Sequence, residues 1–451
     1  MGFYLIMAYI QLLRNSFPDL RFFGNTFVAT NLATVLDNSI VIANRKPKSF
    51  GYKDTESHWI DLARATLNFE LHYSSYINKP PQESEYDHEL LEAIVRRELD
   101  KGEQVVVNFH FPETELEPRI IDRLPKKFGR DVEQFVHLHC LGGFHLGEKG
   151  TKKYNERADL LKRALDAESV KRFIAVSHQV KESFLDVLPH QSIVTVPNGI
   201  PEEIYPFRTE PEKEAFRRQF HVNGEYLIGY SGRLDPVKGY ENLLGVLKWF
   251  NDSDYDVGFL IACANGKNLD DFIRDAAKRA PRLIANNRIG LILDVAKFVG
   301  PVKSLNKVSE DYFQSYVDQK LVPRCPLYVG VSVIPLQSMV DVYLQPSKSE
   351  GFGLSALEAV FAGTPVVASN VGGLKLFVKG PFCRLVDLHN SFRVRSERFG
   401  TAIMSVIEDT YGLNREKDTS HQRSEARSQV ATQYGGRSSA YRTEDVYLGR
   451  I

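Results

Sequence analysis

Short apolar runs of strand length recur along the chain, separated by longer stretches with helical spacing. Ser39–Ala43, Gln104–Asn108, Gln134–Leu138, Arg172–Val176 and Ser192–Val196 are rich in Val, Ile and Phe and read as buried parallel strands. Thr26–Leu36, Glu89–Leu99, Asn155–Leu165 and Gln179–Leu188 carry the helical pattern between them. The alternation restarts at Tyr226–Tyr230 and continues through Val257–Ile261, Lys297–Val299, Val342–Leu344, Pro365–Ala368 and Arg384–Val386. Pro197-Asn-Gly-Ile-Pro201, followed by Pro206 and Pro211, marks the break between the two blocks. Two such blocks predict an α/β chain of two Rossmann-like, doubly wound parallel-sheet domains, at 1–200 and 201–412. Residues 413–451 turn polar, with Gly435-Gly436 between two amphipathic stretches, and are expected to form a helical tail.

Composition agrees with that division. At 451 residues the chain exceeds what one hydrophobic core usually supports. Its 43% hydrophobic and 25% charged residues are ordinary for a soluble globular protein. Lys plus Arg balance Asp plus Glu at 57 each, so no whole-chain charge argues for nucleic acid. The four cysteines (Cys140, Cys263, Cys325 and Cys383) are scattered, which suits thiols in a reducing compartment rather than a disulfide frame. Phe3–Ile10 is apolar, but no positive residue precedes it and it is too short to span a bilayer; a first sheet strand is expected there. The default expectation is a cytoplasmic enzyme.

The densest chemistry lies in Ser347-Lys-Ser-Glu350-Gly-Phe-Gly-Leu-Ser-Ala-Leu-Glu358. A polar loop leaves the apolar strand Asp341–Pro346, carries Glu350, crosses Gly351, Phe352 and Gly353, and opens a helix at Leu354 with Glu358 inside it. Glycines at a strand-to-helix turn let backbone N–H groups approach an anion, and a helix N-terminus favours negative charge. Ionised carboxylates accept hydrogen bonds from vicinal hydroxyls on either side. Upstream, Ile228-Gly-Tyr-Ser-Gly232-Arg-Leu-Asp-Pro-Val-Lys238-Gly delivers two cations, Arg233 and Lys238, into one turn after a strand. Phosphate flanked by hydroxyls describes a nucleotide sugar.

These segments, with Gly363-Thr-Pro-Val366 downstream, resemble the retaining GT-B glycosyltransferases of family 4 across roughly residues 225–387. The resemblance implies two Rossmann-like domains facing a central cleft, and no required metal or cofactor besides the nucleoside-diphosphate-sugar substrate. It assigns Gly232, Arg233, Lys238, Glu350, Gly351, Phe352, Gly353, Leu354 and Glu358 to the donor. Arg233 and Lys238 would stabilise the leaving diphosphate, Glu350 would hold donor-sugar hydroxyls and Glu358 the ribose. The family's C-terminal helix crosses back onto its first domain, an expectation for the tail here.

The first domain carries fewer cues. Phe23-Gly24-Asn25-Thr26 precedes a helix where the family often has Gly-Gly, so Gly24 and Asn25 are candidates for the acceptor side. Val136-His-Leu-His-Cys-Leu-Gly-Gly143 resembles the strand end that presents a histidine to the donor sugar, with His139 favoured over His137. His137, His139, Cys140 and His145 also have the composition of a metal site, but the expectation drawn is no metal. His110 is read equally as a cleft residue or a core histidine. Lys126-Lys127 and Lys149–Lys153 read as solvated surface rather than a membrane contact. The acceptor, whether small molecule, glycan or lipid-linked, is left open by the unfamiliar stretches 46–101 and 111–130, and the donor base is UDP by frequency alone. Two other classes fit: a GT-B epimerase or phosphorylase, and a non-catalytic nucleotide-sugar-binding protein. An NAD-linked oxidoreductase lacks its Gly-x-Gly-x-x-Gly after either first strand.

Overall fold

The computed structural model describes residues 7–16, 32–33, 35–44, 70–74, 88–110, 118–141, 150–200, 205, 207–219, 222–263, 269–294, 327–330, 334–412 and 415–451. These residues form two compact units, one of Met1–Pro201 with Tyr434–Ile451 and one of Glu202–Gln433. The fold is two-domain α/β of the GT-B type, each unit built on a parallel sheet flanked by helices.

In the first unit the described strands are β1 (Met7–Ser16), β2 (Ser39–Asn44), β3 (Glu70–Ser74), β4 (Gln104–Phe109), β5 (Val132–Leu138), β6 (Arg172–Ala175) and β7 (Ile193–Thr195). They line up as β3-β2-β1-β4-β5-β6-β7, all parallel. Val105, Val106 and Val107 of β4 are all fully buried, as expected of a central strand covered by helices on both faces. The expected helices appear at His88–Asp100 and Lys152–Asp166. The helix expected over 179–188 ends at Ser183; it opens on Ser177, whose hydroxyl caps the Val180 amide, and the chain then turns through Phe184.

The stretch 413–451, expected as one tail, is divided between the units. Tyr434–Ile451, including the helix Gly436–Tyr447, groups with the first unit. Ile200 and Gly435 form a parallel bridge, Ser439 Oγ donates to the Pro197 carbonyl at 2.8 Å, and Tyr9 OH donates to Glu444 Oε1 at 2.8 Å. Tyr447 is fully buried against Phe135, ring centroids 4.7 Å apart. The helix Ser420–Tyr434 runs almost wholly in the second unit.

The second unit's sheet comprises β8 (Tyr226–Gly232), β9 (Val257–Cys263), β10 (Ile289–Asp294), β11 (Leu327–Gly330), β12 (Val342–Gln345), β13 (Val366–Ser369) and β14 (Cys383–Val386). The order is β11-β10-β9-β8-β12-β13-β14, again parallel. Every residue of β9 is buried, and its core side chains meet Leu243, Leu247 and Phe250 of the helix Tyr240–Asn251. The sequence pattern had not marked β3, β10 and β11 as strands; the strand expected at 297–299 lies outside the described residues.

Candidate active site

In an open parallel sheet, ligands bind beyond the carboxyl ends of the strands where the winding order reverses. In the second unit that reversal falls between β8 and β12, whose registers join at Val342–Ile228 and Tyr343–Gly229. The Arg233–Lys238 turn leaves β8 and the Glu350 loop leaves β12, so strand order alone brings the two predicted segments together.

Backbone contacts bind them further. The Lys348 amide donates to the Val237 carbonyl at 2.8 Å, and Asn242 Nδ2 donates to the Pro346 carbonyl at 2.8 Å. Arg395 Nε, from the helix Phe392–Tyr411, holds Asn242 Oδ1 at 2.9 Å. The chain also passes Val371–Gly373 very closely. A methyl at Gly372, whose φ is +55°, would stand 1.7 Å from the Glu350 carbonyl oxygen, so only glycine fits there.

Lys238 Nζ meets Glu350 Oε1 at 2.6 Å. The same oxygen accepts from Gln345 Nε2 and Ser347 Oγ, each at 2.8 Å. Glu350 is buried, so these three donors replace the water its charge has lost. Asp235 orders the cationic turn, taking the Lys238 amide at 2.9 Å and pairing with Arg233 Nε at 3.0 Å. The Arg233 side chain remains 47% exposed. Tyr230 OH donates to the Arg233 carbonyl at 2.8 Å, which holds the start of the turn.

The helix Leu354–Phe361 begins at Gly353, and no side chain caps it. It is the helix that follows β12, and an N-terminus with no capping side chain favours an anion. Glu358, one turn in, accepts from Gln337 Nε2 at 2.8 Å and from the Tyr205 hydroxyl. Burial raises its carboxyl to about 7, opposed by the Tyr205 hydrogen bond. Phe352 is buried against Phe377, ring centroids 5.4 Å apart, and anchors the loop between the two glutamates. The sequence motifs do not single out Asp235, Gln337, Gln345 or Tyr205. Asp235 and Gln345 sit inside the noted segments, whereas nothing local distinguishes Gln337 or Tyr205.

In the first unit, His110 follows β4 and His139 follows β5, while His137 lies within β5. His110 and His137 are buried and His139 is partly exposed. His110 Nδ1 and His139 Nε2 are 3.1 Å apart, and Asn108 Nδ2 is 2.8 Å from His110 Nε2. Burial, with the neighbouring rings second, holds His110 and His137 well below the usual histidine range, so both are neutral near pH 7. Gly24 and Asn25 lie outside the described residues.

Residues 298–417 match the family Glycosyl transferases group 1. A D-inositol 3-phosphate glycosyltransferase of Corynebacterium glutamicum is 26% identical over 224 residues, covering 48% of this chain and 46% of that protein. Another of the same name, from Rhodococcus jostii, is 43% identical over 89 residues, covering 18% and 19%. The chain thus spans less than half the length of these curated relatives. The crystal structure of the Anabaena HepE protein in complex with UDP and glucose superposes with a TM-score of 0.64 at 14% identity, covering 98% of this chain and 100% of that one. Among the described residues no helix is long and apolar enough to cross a membrane. Residues 298–417 thus resemble the group 1 glycosyl transferases, within a two-unit fold of the GT-B type.

Proposed function

We propose that this chain is a retaining glycosyltransferase that moves a sugar from a nucleoside-diphosphate-sugar to an acceptor hydroxyl. The observation that carries the reading is the Lys238–Glu350 contact at the sheet's switch point, beside an uncapped helix N-terminus. Breaking the sugar–phosphate bond puts negative charge on the diphosphate and positive charge on the anomeric carbon. Lys238, Arg233 and the amides at Gly353 and Leu354 address the first charge, and Glu350 the sugar that bears the second. Such fixed charges need no reorganisation during reaction, and they are commonly the largest catalytic contribution. Donor binding in this scheme needs no metal. Glu358, with Gln337 and Tyr205 behind it, receives the ribose hydroxyls. The acceptor attacks from the leaving-group face, and the departing phosphate takes its proton. HepE was crystallised with UDP and glucose, which makes UDP-glucose the first donor to try. The thiols of Cys263 and Cys383 suit a cytoplasmic setting.

The test is a panel of nucleotide sugars, each with and without candidate small-molecule, glycan and lipid-linked acceptors. The expected result is transfer that depends on acceptor, with an α-linked product from an α-linked donor, read from the anomeric proton coupling by NMR. A β product would remove the retaining mechanism. Conversion of the donor without acceptor would indicate an epimerase, and nucleotide binding with no turnover on any acceptor a binding protein.

A further inference from the structure

The histidines of the first unit have a geometry that the transfer reaction does not require. One ring nitrogen from each of His110, His137 and His139 lies within 4.8 Å of the other two. The ring centroids lie 4.4 Å apart for His110–His137, 5.3 Å for His110–His139 and 5.7 Å for His137–His139. A purely hydrogen-bonded arrangement accounts for two of them. The Asn108 amide donates to His110 Nε2, which leaves a proton on His110 Nδ1 for His139 Nε2. It does not account for His137. Both of its ring nitrogens are buried without a hydrogen-bond partner among the described residues. Burying a polar ring without a partner is costly, and few such groups persist in folded proteins without a further role.

We propose that His110, His137 and His139 together bind one divalent transition-metal ion, with zinc the best chemical match. Imidazole nitrogens suit zinc, copper and nickel over calcium or magnesium. Zinc–nitrogen bonds of about 2.0–2.1 Å in tetrahedral geometry set ligand nitrogens about 3.3 Å apart. The His110 Nδ1 to His139 Nε2 separation of 3.1 Å already meets that spacing. The widest remaining separation closes by on the order of 1.5 Å, within reach of modest side-chain rotation. Asn108 supplies the outer support. With its amide turned end for end, Oδ1 accepts from His110 Nε2–H and frees the Nδ1 lone pair for the ion. Three protein ligands leave a fourth position for water or another small ligand on the partly exposed His139 side. All three ligands come from β4 and β5 or the residue just beyond each, so a rigid sheet fixes the site.

The experiment uses the full chain, stripped by dialysis against a chelator and titrated with Co2+ followed by Zn2+. Visible d–d absorption should saturate at one Co2+ per chain and be displaced by Zn2+. His137→Leu, which keeps the buried volume apolar, and His139→Ala, at a partly exposed position, should each weaken Co2+ binding at least tenfold. Circular dichroism establishes that each variant is folded. Absence of a saturable absorption in the unmodified chain overturns the site. Full Co2+ affinity in either folded variant overturns the three-histidine assignment. None of these readouts depends on transferase activity, so failure of the metal site and failure of the transferase reading are separable.

Discussion

Lys238 and Glu350 lie 112 positions apart in the chain, yet their Nζ and Oε1 atoms meet at 2.6 Å. Each stands on the loop after one of two neighbouring strands, β8 and β12, so the pair is a product of sheet order. Gln345 and Ser347 crowd the same carboxylate oxygen, which makes Glu350 a preset charge rather than a mobile one.

Removing the lysine leaves that buried carboxylate without its cation. Lys238→Ala should destabilise the second unit by about 1–3 kcal/mol and weaken nucleoside-diphosphate binding as well. Glu350→Lys, which reverses the charge beside Lys238, should destabilise that unit by a similar amount, whereas Lys348→Ala should change neither stability nor binding. Denaturant unfolding and calorimetry on the three variants check this. Normal diphosphate affinity in a folded Lys238→Ala would remove Lys238 from the donor site.

The two glutamates should separate kinetically. Glu350→Gln acts where charge develops, so kcat should fall roughly a hundredfold, or about 2–3 kcal/mol of barrier, with bare diphosphate still bound. Glu358→Gln acts on ribose, which is unchanged through the reaction, so donor KM should rise with kcat nearly constant. The reverse pattern would mean that the donor lies the other way round.

Glu358 also predicts a pH dependence. Its folded-state value, about 7, lies above the ordinary 4.5 because burial disfavours the ionised form. A raised carboxyl binds its proton more tightly folded than unfolded, so its contribution to stability declines from about pH 4.5 to about pH 7 and is level above. Ribose hydroxyls prefer the ionised carboxylate as acceptor. Nucleotide affinity should therefore rise by up to about tenfold between pH 6 and 8 beyond the titration of the nucleotide itself. Calorimetry across that range with Glu358→Gln alongside tests it: the excess slope should vanish in the variant.

Gly372→Ala should behave unlike Gly380→Ala, although both positions have positive φ. At Gly380 nothing lies within 4 Å of an added methyl, whereas at Gly372 the Glu350 backbone is 1.7 Å away. The Gly380 variant should lose only about 1 kcal/mol from backbone strain. The Gly372 variant should lose more and also push Glu350 out of place, lowering kcat/KM at least tenfold. Equal activity in the two variants would show that the Glu350 backbone adjusts freely.

A nucleoside diphosphate should raise the melting temperature by mass action, at ~100 times its dissociation constant by about 2.7 kcal/mol of stability. Chelator should not change that shift, because lysine, arginine and backbone amides hold the diphosphate in this reading. Loss of the shift on chelation would tie nucleotide binding to a metal instead.

The sequence by itself determined the two-block α/β organisation and the local chemistry of 347–358. Buried parallel strands write themselves as unbroken apolar runs such as Val105–Val107, and a strand-to-helix anion turn needs glycines and a carboxylate at short fixed spacing. Where that local signal weakened, as at Glu70–Ser74 with its polar Glu70 and His72, the strand passed unmarked. Only the tertiary structure decided which distant groups meet. Gln337 and Tyr205 reach Glu358, Lys238 meets Glu350, His137 joins His110 and His139, and Gly436–Tyr447 packs with the first unit. The reason is physical: such contacts depend on strand order, crossovers and side-chain direction across separations from 21 residues for Gln337–Glu358 to 112 for Lys238–Glu350, and a residue's own neighbours in the chain carry no record of them.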